Sequence, residues 1–133
     1  MIQLVKEHTR GYSEPITNSH QVFNELKDIK DETKEVFIVF YLDTKNRIIA
    51  REIVHIGTLN ASLVHPREIF RGAILRNCNS IIVAHNHPSG DVTPSNEDLE
   101  INEMLKKAGE LLHIKLLDNI IVGTAMFKSI IGD

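Results

Sequence analysis

The chain has 133 residues, 42% of them hydrophobic and 25% charged, with 7 Gly and 4 Pro, which gives one soluble domain with one core and excludes disordered or fibrous organisation. Its 15 Lys and Arg against 18 Asp and Glu leave a net charge of −3, which speaks against a dedicated nucleic-acid clamp. A single Cys, Cys78, excludes an internal disulfide and a multi-Cys zinc set, and no membrane span or signal-peptide pattern stands out, so the expectation is a cytoplasmic protein.

Residues 1–17 carry turn formers without periodicity and read as an N-terminal arm, leaving a domain over 18–133. Ser19 to Lys30 places Val22, Leu26 and Ile29 at helical spacing. Val36 to Leu42 is an uninterrupted apolar run rich in β-branched and aromatic types, which predicts a strand buried on both faces. Asp43 to Asn46 supplies a turn, and Arg47 to Gly57 returns antiparallel as a second strand.

His65-Pro66-Arg67-Glu68 opens a helix with Pro at its first position and an acid in its first turn, with Ile69, Phe70, Ala73 and Ile74 as its buried stripe. Arg67 and Arg71 share a face of it, suited to a phosphate or simply to solvent. Ser80 to Ala84 is a short apolar strand ending at His85. A polar loop, Asn86 to Pro94, leads to a helix from Ser95 to Leu112, with Ile101, Met104, Leu105, Ala108 and Leu111/Leu112 as its stripe. Two short strands near 114–117 and 120–122 and a last apolar piece around 127–131 complete an α/β fold, a mixed sheet with helices on its faces.

The chemistry concentrates between His85 and Asp98. Histidines separated by one residue project to the same side of an extended backbone, and Pro88 biases His87 toward that geometry. Ser95 and Asp98 have the spacing of a helix-entry capping box, which turns Asp98 back toward the histidines. Two imidazoles and one carboxylate leave a fourth tetrahedral position open, a pattern of catalytic rather than structural zinc. Each piece alone has an ordinary reading, as surface or core histidines and a plain helix cap; together they sit where α/β folds keep ligand sites, outside a strand's carboxyl end.

The run His85-Asn86-His87-Pro88-Ser89-Gly90-Asp91-Val92-Thr93-Pro94-Ser95-Asn96-Glu97-Asp98 resembles the His-x-His-Pro and Ser-x-x-Asp pattern of the JAMM (MPN+) metallohydrolases and, in its wording, the bacterial RadC family within them. Gly57-Thr58-Leu59-Asn60, Val64-His65-Pro66-Arg67-Glu68 and Leu117 to Gly123 agree with that resemblance, which covers about residues 18–131. It implies a three-layer JAMM/MPN-like, cytidine-deaminase-like fold and a Zn2+ site with His85, His87 and Asp98 as ligands. It further implies that Ser95 hydrogen-bonds the oxygen of a tetrahedral intermediate, and that a glutamate at the start of the first central strand acts on the activated water. Glu35 holds that position; from the residues alone, Glu32 and Glu52 are its rivals.

The expected reaction is amide or isopeptide hydrolysis of a protein or peptide substrate. Members of the family are conventionally named DNA repair proteins and commonly carry an N-terminal helix-hairpin-helix segment, so this chain reads as a short family form or an excised C-terminal domain. A metal-dependent DNA-processing protein and a non-catalytic interaction module are the alternatives. Zinc deamination is excluded by the missing Pro-Cys-x-x-Cys ligands. Cys78 reads as a packing residue, and Asp91 as an acid orienting a ligand histidine.

Overall fold

The computed structural model describes residues 14–131. Its first helix, α1 (Ser19–Asn24), is closed at its start by a capping box between Asn18 and Gln21. The helix expected through Lys30 stops there: the following turns are tightened by i to i+3 bonds such as Leu26 N–H to Phe23 O, 3.0 Å. Leu26 and Ile29 are nonetheless buried as the spacing predicts. Of the expected arm, residues 1–13 lie outside the described residues, while Ile16 bonds Asn46 O through its N–H (2.8 Å) and packs on the core.

Strand β1 (Val36–Leu42) is buried along its whole length. It pairs antiparallel with β2 (Ile48–Ile56) on one side and with β3 (Ser80–Asn86) on the other. Between them α2 (Pro66–Leu75) begins at Pro66, as expected. After β3 comes α3 (Asn96–Leu112), then β4 (Lys115–Val122), parallel to β3, and β5 (Phe127–Ser129), antiparallel to β4. The sheet order is β2-β1-β3-β4-β5.

Because strand side chains alternate, β1 feeds two cores. Phe37, Val39 and Tyr41 join Ile69, Phe70 and Ala73 of α2 and Ile101 and Leu105 of α3. Ile38, Phe40 and Leu42 join Val22 of α1 together with Leu26 and Ile29. This is a three-layer α/β arrangement with a mixed sheet, as the resemblance implies. Among the described residues, no helix is long and apolar enough to cross a membrane.

Three local expectations change. The two strands expected near 114–117 and 120–122 are one strand, β4, with Leu117 bulged out between the pairs Ile81–Leu116 and Ile82–Asp118. The polar break between them is tolerated because Asp118 accepts from Ser19 Oγ (2.8 Å) and Ser129 Oγ (2.6 Å), and Asn119 donates to Asn102 Oδ1 (2.9 Å). Leu111 is 83% exposed and Ile74 54%: both point away from the buried face of their helix, which is carried by Ile69, Phe70, Gly72 and Ala73 in α2 and by Ile101, Leu105 and Gly109 in α3. Cys78 is buried in the α2–α3 core, as expected of a packing residue.

Candidate metal centre

The site is built where β3 ends. His85 lies on the last β1–β3 pair, opposite Phe37, and its ring stacks on that phenyl at 5.9 Å and 11°. The next alternating position is His87, whose N–H continues the ladder to Val122 O (2.9 Å). Both imidazoles therefore face the α2–α3 side of the sheet, and their Nε2 atoms are 3.2 Å apart.

The loop after them folds back on the second histidine. His87 to Gly90 form a turn closed by Gly90 N–H to His87 O (2.9 Å), with Gly90 in the left-handed region at φ +88°. His87 Nδ1 donates to the backbone carbonyl of Asp91 (2.8 Å). The carboxylate of Asp91 instead accepts from Thr93 N–H and Oγ1–H, so it is this residue's main chain, not its acid, that orients the ring.

Ser95 caps α3. Its Oγ accepts from Asp98 N–H (3.0 Å) while Asp98 Oδ2 accepts from Ser95 N–H (2.9 Å). That reciprocal box holds the Asp98 side chain against both rings, with Oδ1 3.1 Å from His85 Nε2 and Oδ2 3.0 Å from His87 Nε2. Burial works against the charge of Asp98, but the two histidine contacts outweigh it and hold its carboxyl well below the usual carboxylate range. The same carboxylate raises the pKa of His87 against the opposing effect of burial, helped by the Asp91 carbonyl and by the charge of Glu35.

Glu35 immediately precedes β1 and is half-buried. One ligand atom each from Glu35, His85 and His87 lie within 4.8 Å of one another, a grouping able to hold a metal ion. Of the two alternatives, Glu32 is exposed, and Glu52, on β2, accepts from Tyr41 Oη of β1 (2.8 Å). Glu35, His87, Ser95 and Asp98 share a cleft of about 400 Å³ walled by Thr58, Leu59, Asn60 and Pro88. Gly57, at φ +116°, makes the turn that sends Thr58 to Asn60 into that wall.

The donor set fits a divalent cation. Ligand atoms held ~2.0–2.1 Å from a tetrahedral centre lie about 3.3 Å apart, close to the 3.2 Å between the two Nε2 atoms, and Asp98 offers a separate oxygen to each of them, Oδ1 to His85 at 3.1 Å and Oδ2 to His87 at 3.0 Å. Nδ1 of His85 is buried without a hydrogen-bond partner, so among the described residues Nε2 is the side on which this ring meets polar groups. The sequence missed Asn86, which is fully buried between the two histidines and bonds backbone groups about fifty positions earlier in the chain. Arg67 and Arg71 line a separate, largely apolar groove with Phe70, Ile74, Leu75 and Leu112.

The chain is similar to a UPF0758 protein of Chlorobaculum tepidum, 53% identical over 115 residues, which are 86% of this chain and 52% of that protein. A UPF0758 protein of Staphylococcus haemolyticus is 47% identical over 129 residues, 95% of this chain and 57% of the relative. One from Methanosarcina acetivorans is 51% identical over 102 residues, 77% and 44% respectively. The chain thus spans about half the length of the curated relatives it matches. The profile of the RadC-like JAB domain matches residues 16–132, nearly all of the described fold, and the chain belongs to that family.

Proposed function

We propose that the domain is a Zn2+-dependent hydrolase of the JAMM class that cleaves an amide or isopeptide bond in a protein or peptide. The observation that carries this reading is the convergence of His85 Nε2, His87 Nε2 and both Asp98 oxygens at 3.0–3.2 Å, beside a glutamate in an open cleft. His85, His87 and Asp98 would hold the ion. Bound there, it supplies Lewis-acid polarisation of a carbonyl and an acidified water.

The protein's own groups account for the remaining chemistry. Glu35, on the cleft wall, accepts the proton of the attacking water at its carboxylate and delivers it to the departing nitrogen. Ser95 Oγ already accepts from Asp98 N–H, so its hydroxyl hydrogen is directed to an outside acceptor, the carbonyl oxygen as it gains charge. The Asp91 carbonyl fixes the His87 proton on Nδ1 and leaves Nε2 as the donor atom.

Metal analysis of the purified chain is expected to find near-stoichiometric zinc that is lost in His87→Ala. A screen of peptide and isopeptide substrates should then find an activity that Glu35→Gln abolishes while zinc is retained. Zinc-free protein that hydrolyses the same substrate, or undiminished turnover by Glu35→Gln, would overturn the assignment.

A further inference from the structure

We propose that Asn86 is a positioning residue for Glu35, a clamp that fixes the glutamate relative to the two histidines; this rests on the hydrolase reading above. The side chain of Asn86 is fully buried. Its Oδ1 accepts from Val36 N–H (2.6 Å), and its Nδ2 donates to Lys34 O (3.0 Å) and Glu32 O (3.2 Å). Two of those partners are the residues on either side of Glu35.

The clamp is needed because regular pairing ends too early. The β1–β3 ladder stops at Phe37–His85, and residues 32–35 are irregular, so their backbone groups have no strand beside them on the β3 side. The Asn86 amide takes that role. On the other side, Glu35 O accepts from Gly57 N–H at the exit of β2 (2.8 Å). Glu35 is therefore pinned by its own carbonyl on one side and through both neighbours on the other.

Alternation along the strand completes the arrangement. His85 and His87 face the α2–α3 side, whereas Asn86 points to the opposite side, among the segment that follows α1. One tripeptide thus presents two candidate ligands on one face and, on the other, grips the strand entry that carries the proton acceptor. Asn86 is not among the residues that line the cleft and acts through Glu35.

The test is a double-variant cycle on the full chain, with Co2+ as the probe and visible absorption as the readout. Glu35→Gln removes a negative charge beside the ion and is expected to weaken Co2+ severalfold and change its spectrum. Asn86→Ala should weaken Co2+ by no more than Glu35→Gln does and shift the spectrum toward that of Glu35→Gln, yet do neither when Glu35 is already Gln. Asn86→Leu, which fills the volume without polar atoms, serves in the same cycle where the alanine variant does not fold. Equal weakening in both backgrounds assigns Asn86 to the histidines or the fold and overturns the proposal, as does no effect in either. A Glu35→Gln variant indistinguishable from the unaltered chain also overturns it.

Failure of the unaltered chain to bind Co2+ sinks the hydrolase reading instead. Amide exchange then decides the clamp: fast exchange at Val36 in Asn86→Ala, with Val39 to Leu42 still protected, keeps it, and unchanged protection at Val36 removes it.

Discussion

His85 at a strand end and Asp98 in the first turn of a helix meet at 3.1 Å between Nε2 and Oδ1, with side chains only 3% and 2% exposed. A buried carboxylate without partners carries a heavy desolvation cost. Here Ser95 N–H and both histidines engage it. Asp98→Asn keeps the shape and one acceptor oxygen but turns an amide toward a histidine. The metal-free protein is expected to lose about 1–3 kcal/mol, measured by urea unfolding, together with its zinc affinity, measured by calorimetric titration.

Zinc should stabilise the fold by mass action. At a free concentration ~100 times the dissociation constant, the gain is about 2.7 kcal/mol, or roughly 10 °C in Tm for a domain of this size. A chelator should reverse the shift. His87→Ala should abolish it, and an equal shift in that variant would show that zinc binds elsewhere.

Gly123 bears on the site through a close approach. A Cβ there would lie 2.5 Å from Gly90 O, in the turn after His87, while a Cβ at Gly109 would collide with Ile114 O at the far end of α3. Both alanine variants should lose about 1–3 kcal/mol. Only Gly123→Ala should also weaken zinc, by about tenfold, because only there does the displaced backbone belong to the histidine loop. Equal zinc affinity in the two variants would count against that coupling.

Alkali should unfold the protein through its buried acids. Burial pushes the Cys78 thiol up from an ordinary 9.0 to about 11, and burial followed by the Glu52 contact raises Tyr41 as well. With the folded pKa above the unfolded one, the contribution is complete below pH 9 and is lost as pH rises toward 11, because the unfolded chain releases its proton first. Urea unfolding across that window should show falling stability, with a shallower slope in Cys78→Ala. Identical slopes would remove Cys78 from the effect.

What was readable in the sequence followed range. His85 and His87 are placed by the two-residue period of a strand and Asp98 by a capping box, both rules that act over a few residues. Choosing Glu35 over Glu32 and Glu52 required the family resemblance, since its nearness to the histidines depends on β1 lying beside β3. Asn86 gave no signal because its partners are Glu32, Lys34 and Val36. The continuity of β4 through Asp118 was hidden likewise: the bonds that satisfy that acid come from Ser19 and Ser129. Leu111 was read into the apolar stripe but is turned away from the face defined by Ile101, Leu105 and Gly109 and is exposed.

The antiparallel run of β1 against β3 brings a beginning and an ending together. Had the two strands shared a direction, the start of β1 would sit at the far rim of the layer, roughly 20 Å from His85. Every imidazole and carboxylate of the histidine loop would survive such a rewiring, and the acid at position 35 would be stranded out of range. Chain polarity, more than the identity of any single side chain, is what makes these distant stretches neighbours.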